Sequence, residues 1–238
     1  MGTFQGSITA WAPNLPVAPT VAVTAVDNSK AGAVYTSIEL GENDKGAFIY
    51  AANVHTGKID VFDSTFKPAN AELTGTFADP QIPAGFTPFG IHNIQGNLAV
   101  TYAKQNASKS FITAGAGVGF VDLFDTEGNL LQRLAAGGSL NVPWGVALAP
   151  IGFGGAGGEI LVANFGDGHI NAFDGKGGVQ MLLNQSGQPI AAPGLWEIRF
   201  GGGTDSSPLA LFITAGIDGG AHGQFSMLSP ALPAAPAN

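Results

Sequence analysis

The sequence has no cysteine among its 238 residues, so disulfide staples, thiolate nucleophiles and cysteine-based zinc sites are excluded. Charge is scarce as well. Only 11% of residues are charged, and the balance is acidic, with a net charge of −8. A chain of that sign is a poor partner for nucleic acid or for an anionic bilayer. No apolar run is long enough to cross a membrane as a helix, and the first residues, Met1 to Gly6, lack a basic and then apolar leader. Several catalytic signatures are missing too. There is no Gly-x-Ser-x-Gly, since Gly137-Gly138-Ser139-Leu140-Asn141 lacks the last glycine. There is no His-Glu-x-x-His, and no contiguous calcium loop of the EF-hand kind. The run Gly152 to Gly158 lacks the Lys-Ser/Thr of a phosphate loop and reads as a surface turn.

What is abundant is glycine, 36 residues, and proline, 15, within a chain that is 45% hydrophobic. That mixture describes many short strands joined by turns rather than disorder. The pattern is plainest from Gly158 to Asp174. Ile160 to Ala163 is a short apolar run, Asn164-Phe165-Gly166-Asp167-Gly168 is turn chemistry, and His169 to Phe173 alternates before Asp174. The same unit recurs at Ala47 to Asp63, more loosely from Leu98 to Asp125, and from Leu209 to Leu228, with a partial copy at Gly6 to Trp11. The aromatics that mark the third strands, Trp11, Phe62, Phe124, Phe173 and Phe225, are spaced by 51, 62, 49 and 52 residues. The 62-residue interval contains an insertion, Ala103 to Gly117, whose stretch Lys104 to Lys109 is polar.

A period near fifty with several strands and no helical stretch predicts an all-β β-propeller of about four four-stranded blades plus a partial N-terminal blade. The blades are expected at 35–77, 89–134, 144–183 and 196–228, with the partial one at 6–24, in a single domain over 1–230. Innermost strands begin at Tyr35, Phe89, Trp144 and Trp196. Outer strands are expected at Leu73 to Phe77 and Val179 to Leu183, with none after Leu228. Residues 231–238 read as a flexible Pro/Ala-rich tail.

The runs PWGVALAP (143–150), GEILVANFGDGHINAFD (158–174) and ITAGIDGGAHGQFSML (213–228) resemble an uncharacterised family of bacterial six-bladed propellers. That family is akin to the NHL-repeat and SMP-30/gluconolactonase-like class. The resemblance covers about Gly6 to Pro230 and implies an N-terminally shortened copy, an extracellular or periplasmic location, and kinship with propeller lactonases. In those enzymes a central calcium polarises the lactone carbonyl and a carboxylate or histidine activates water.

Aligned repeats put a set of polar and aromatic residues at one end of the channel. Tyr35, Phe89, Trp144, Trp196 and Arg199 are the candidate substrate-binding residues. Asn53, Asn164, Asp167 and Asp218 are candidate calcium ligands, and His92, His222 and Glu197 candidate catalytic groups; His55 shares the loop of Asn53. An aromatic wall with a few carboxylates, amides and imidazoles is the composition of a small-molecule site. Each residue also has a structural reading: aromatics as packing between blades, Asn53 and Asn164 as turn formers, Asp167-Gly168 and Asp218-Gly219 as ordinary turns.

Two functions are therefore open: a calcium-dependent hydrolase of a small lactone or ester, or a non-enzymatic secreted propeller that binds a peptide, a glycan or a partner protein. Neither involves nucleic acid, membrane insertion or an organic cofactor. The strands Gly6 to Trp11 and Thr20 to Thr24 lack an obvious partner in sequence, and the second could complete the last blade. A ring of six blades would need about 300 residues, so an open arc that pairs as a homodimer is expected.

Overall fold

A computed structural model describes residues 1–13, 21–202 and 204–230. The tail at 231–238 lies outside the described residues. The chain divides into two compact units, the first running from Met1 to Pro143 and the second from Trp144 onward.

The first unit opens on β1 (Ser7–Ala10) and β2 (Val23–Asp27), which pair antiparallel. This corrects two expectations. The second strand begins at Val23 rather than Thr20, which itself lies outside the described residues, and it partners β1 instead of the last blade. Trp11 falls just beyond β1 and is largely exposed, so it does not end a blade's third strand as Phe62 does.

The next sheet is a meander of β3 (Tyr35–Asn43), β4 (Gly46–Asn53) and β5 (Lys58–Phe62). β4 shows why the apolar run 47–52 is continuous rather than alternating. Phe48, Tyr50 and Ala52 face one core cluster while Ala51 faces another, around Ile8, Val26, Tyr35 and Phe62. A strand covered on both faces has no polar side to show.

The outer strand expected at Leu73 to Phe77 does not form; this sheet has three strands. A side chain takes its place. Asn70 donates from Nδ2 to the carbonyl of Ile59 at 2.9 Å and accepts the N–H of Val61 on Oδ1 at 2.9 Å. One amide thus satisfies two groups that a fourth strand would otherwise pair. The chain is then free to cross over. The N–H groups of Gly75 and Phe77 bond the carbonyls of Glu127 and Gly128, at 2.8 and 2.9 Å. Only glycine fits at 75, because a Cβ there would lie 2.2 Å from the Gly128 backbone.

The second large sheet has the order β10–β9–β7–β6, from β6 (Phe86–Ile94), β7 (Asn97–Gln105), β9 (Phe120–Phe124) and β10 (Leu130–Ala136). The polar insertion does not simply break the repeat. It extends β7 to Gln105 and adds β8 (Ile112–Thr113) as a further pair on that extension. Gln105 Nε2 reaches the carbonyls of Val54 and His55, tying the insertion to the first sheet's loop. Thr36 and Ser37 of β3 bond the carbonyls of Phe89 and Ile91 on β6. Between the sheets runs an aromatic ladder, Phe48–Tyr50–Phe77–Phe124, with ring separations of 6.4, 5.6 and 5.4 Å.

In the second unit, β11 (Pro143–Leu148), β12 (Ile160–Asn164), β13 (Ile170–Phe173) and β14 (Val179–Met181) make a four-stranded antiparallel meander. Its glycine-rich connection holds one short 3-10 turn at Gly154–Ala156. β15 (Leu195–Phe200), β16 (Leu211–Gly216) and β17 (His222–Leu228) form a three-stranded sheet. Leu161, Ile170, Leu195, Leu211 and Ile213 share one core. Phe225 lies inside β17 rather than at its end, exposed and stacked on Phe212 at 5.4 Å.

Candidate functional site

The residues singled out from sequence divide between the units. In the first, Tyr35 and Phe89 are buried, not displayed to a channel. Tyr35 donates its hydroxyl to Asp60 Oδ2 at 2.8 Å, accepts from Asn28 Nδ2 at 2.8 Å, and meets Phe62 edge-on. Burial raises its pKa well above the ordinary phenol value. Phe89 meets Phe111 edge-on at 5.6 Å. Both are packing residues, which corrects the expectation of an aromatic ligand wall here. His92 is buried in β6 opposite Ala99.

Asn53 is likewise structural. Its Oδ1 accepts the backbone N–H groups of Val34, His55 and Thr56, and its Nδ2 donates to Asp60 Oδ2 at 2.8 Å. An amide oxygen already holding three donors is not presented to a cation. Among the described residues, no group of three or more histidine and acidic side chains gathers as a metal site. Of the candidate calcium ligands, Asn53 belongs to the first unit, and Asn164, Asp167 and Asp218 to the second.

In the second unit, Trp144, Phe165 and Trp196 form a half-buried aromatic cluster, with Trp196 at 5.4 Å from Trp144 and 4.6 Å from Phe165. Asn164 ends β12 as Asn53 ends β4, and each carbonyl accepts the N–H of the glycine four residues on, Gly168 or Gly57, at 3.0 Å. The repeat equivalence is thus real, and it is a turn equivalence. Asp167 Oδ1 accepts the His169 N–H at 3.1 Å and lies 3.4 Å from His169 Nδ1. Asp218 is exposed on a turn at φ 54°, ahead of exposed His222. Glu197 Oε1 accepts the N–H of Ile198, and Arg199 is exposed on β15.

The densest chemistry was not singled out from sequence. It lies in the first unit, where a cleft of about 650 Å³ is lined by Lys58, Asp60, Asn70, Phe77, Asp79, Phe86 and Tyr102, among others. Asp79 opens the crossing to β6, its Oδ1 accepting the Gln81 N–H at 2.7 Å. Asp122 projects from β9 and is fully buried. Arg133, its register partner on β10, joins the two: Nε lies 3.3 Å from Asp122 Oδ1, and Nη2 bonds Asp79 Oδ2. The guanidinium lies over the Phe120 ring at 5.3 Å, and Phe120 meets Phe86 edge-on at 4.9 Å. Tyr102, beside the pair, donates its hydroxyl to the Phe77 carbonyl at 3.2 Å. Phe77 itself has φ 53°, with its N–H bonded to the Gly128 carbonyl.

The electrostatics follow from burial. Desolvation, and then the neighbouring Asp79 charge, push the Asp122 carboxyl up to about 7 against the pull of Arg133. The Tyr102 phenol is pushed above its ordinary range, by burial first and the same carboxylates second.

One signal in sequence pointed here. Two residues before three of the four third-strand phenylalanines stands a polar residue inside an apolar strand: Asp60, Asp122 and Asn171. A carboxylate in a buried strand position needs a partner, and the recurrence marks the position as built.

No family model matches the chain. It is similar to uncharacterised proteins of Acanthamoeba polyphaga mimivirus. One is 34% identical over 177 residues, which is 73% of this chain and 32% of that protein. Another is 40% identical over 155 residues, 63% of this chain and 38% of that protein. The chain thus spans 32% to 38% of the length of these relatives. They are viral, where the sequence resemblance had pointed to bacterial proteins. Among solved structures it is similar to a protein of unknown function from Bacteroides caccae, with TM-score 0.56 and 12% identity over 96% of this chain and 67% of that one. It is similar also to Penicillium chrysogenum alpha-L-arabinanase, with TM-score 0.56 and 13% identity over 94% and 67%. A third is the Cps50 (Swd1) β-propeller domain from Myceliophteria thermophila, with TM-score 0.50 and 14% identity over 97% and 65%. The chain has a β-propeller fold.

Proposed function

We propose that the chain is a hydrolase of a small, uncharged lactone or ester, working from the cleft of the first unit. Fold alone does not choose, since an arabinanase and a Swd1 domain share it. The observation that carries the reading is a carboxyl group near neutrality, Asp122, coupled to a second, Asp79, that forms part of a cleft wall. A carboxyl held near neutrality beside a second carboxyl is suited to acid–base hydrolysis. Ile59, Phe77, Ile82 and Phe86 supply an apolar lining, and Lys58 and Asp60 offset each other in charge, which suits a neutral substrate. Kinship with the six-bladed NHL and SMP-30-like class, and export from the cell, belong to the same proposal.

The test is a hydrolysis screen with a five-membered lactone and an aryl acetate, with calcium and with chelator. Turnover that survives chelation and is lost in Asp79→Asn supports this site. Turnover that needs calcium and ignores Asp79→Asn moves the chemistry elsewhere.

The binding reading keeps one specific observation, the half-buried Trp144–Phe165–Trp196 cluster. Such a face suits the apolar side of a glycan or an aromatic peptide residue. Glycan retention lost in Trp196→Ala, with no turnover of any ester, would favour it.

A further inference from the structure

Asp122 presents an unusual inventory. Its Oδ2 is buried and has no hydrogen-bond donor among the described residues. The group within hydrogen-bond reach is Asp79, a second acceptor. The neighbouring donors are committed: the Tyr102 hydroxyl to the Phe77 carbonyl, and Arg133 Nη1 to Gln81 Oε1 at 3.3 Å. Arg133 touches both carboxyls and is the cation that acts on Asp122 among the described residues; β7 contributes the neutral Tyr102 and the crossing contributes Asp79. Two ionised carboxylates against one guanidinium would leave a net negative charge in a buried cluster, which is costly. One added proton makes the cluster neutral and turns an acceptor–acceptor contact into a hydrogen bond.

We propose that Asp79 and Asp122 hold a single proton between them, and that this proton is the general acid of the cleft. The inference rests on the hydrolase reading above. Asp79 is the catalytic residue, because it lines the cleft; Asp122 and Arg133 are positioning residues. Arg133 reaches both carboxyls, so negative charge is stabilised on either one as the proton moves. The step balances. The proton passes from Asp79 to the leaving oxygen of the lactone or ester as the carbonyl carbon–oxygen bond breaks. Water adds its hydroxyl to the carbonyl carbon, and the proton that water gives up returns to the pair. The upward shift of Asp122 places such an acid near neutrality, where it can both give and regain a proton.

The experiment has two arms. Infrared spectroscopy of the substrate-free protein, with aspartate carbon-13 labelling, reads the protonated carboxyl directly. A protonated aspartate band persisting to neutral pH, lost on the alkaline side, and absent in Asp122→Asn is expected; Asp79→Asn provides the second variant if that one does not fold. No such band at neutral pH overturns the proposal whatever the activity. In the second arm, hydrolysis of the five-membered lactone is followed against pH. The rate should fall as the pair ionises, and Asp122→Asn should remove that alkaline limb while lowering kcat with KM little changed. A band with an unaltered pH profile in Asp122→Asn overturns the acid role. A band in a protein that turns over no lactone or ester refutes the hydrolase reading and leaves the shared proton standing.

Discussion

Replacing Asp122 by asparagine should stabilise the protein at alkaline pH and do nothing comparable in acid. The folded-state pKa of Asp122 is raised, from 3.8 to about 7. Between those values the unfolded chain has released a proton that the native state still holds. Stability therefore falls as pH rises through that window, and levels off above it. At about 1.36 kcal/mol per unit, the ceiling is about 4 kcal/mol. Water in the adjoining cleft screens the cluster, so about 2 kcal/mol is the realistic size. Asparagine has the same shape, donates an N–H toward Asp79 and cannot ionise, so the variant escapes the alkaline loss. For a chain of this length, about 2 kcal/mol is about 4–8 °C in Tm. The assay is thermal unfolding of both proteins at about pH 5 and about pH 9, with the difference between them taken at each pH. That difference cancels groups shared by both, including Asp27, Asp63, Asp174 and Glu127, whose pKa values are lowered by their turn hydrogen bonds or, for Glu127, by Lys45. An Asp122→Asn protein destabilised equally at both pH values would refute the reasoning, since it would mean an ionised, well-satisfied Asp122 at neutrality.

Three other perturbations test the framework around the cleft. Asn70→Ala removes both bonds to the edge of β5 and should cost about 1–3 kcal/mol in denaturant unfolding; a neutral result would show the missing strand needs no substitute. Gly75→Ala should destabilise the crossing that carries Asp79, by about 1–3 kcal/mol, because its Cβ meets the Gly128 backbone rather than a movable side chain; hydrogen exchange of the Phe77 amide would report it. For self-association, Phe225→Lys on the exposed face of β17 should shift sedimentation toward monomer while changing stability by less than about 0.5 kcal/mol; a wild-type protein already monomeric at micromolar concentration would end the homodimer expectation.

The fold was legible because its signals are local. Alternation, turns such as Asn164-Phe165-Gly166-Asp167-Gly168 and the recurring Phe-Asp ending fix strands one at a time, and the fifty-residue period orders them. The failures are places where a distant group took over a local role. Leu73 to Phe77 has strand composition, yet Asn70 satisfies the edge first and the Glu127–Gly128 turn captures the backbone. Repeat alignment put Tyr35 and Phe89 at one place and Asn53 in the following loop, but Tyr35 pairs with Asn53 whereas Phe89 falls at the register shift between Pro88 and Gly90, and position does not reveal exposure. Tyr35 and Asn53 are consumed by Asp60, and Phe89 by the insertion's Phe111. Asp79 stands before Pro80 in the crossing to β6, and nothing local announces that Arg133, 54 residues on, will reach it.

Asp60 and Asp122 make the deeper point about repeat folds. They occupy the same place in successive third strands, and both are buried or half-buried carboxylates. Asp60 is met by the Tyr35 hydroxyl and the Asn53 amide, two neutral donors to its Oδ2. Asp122 is met by Arg133 on one oxygen and by another acid near the other. Asn171, at the same place in the second unit, carries no charge to balance. The repeat therefore supplies a polar position in the third strand, and the partners around it, from its own sheet or from a crossing, decide its chemistry. Where both partners are neutral amides and hydroxyls, the position serves packing. Where a crossing delivers Asp79, the same position becomes the one site among the described carboxyls whose ionisation is held near neutrality beside a cleft.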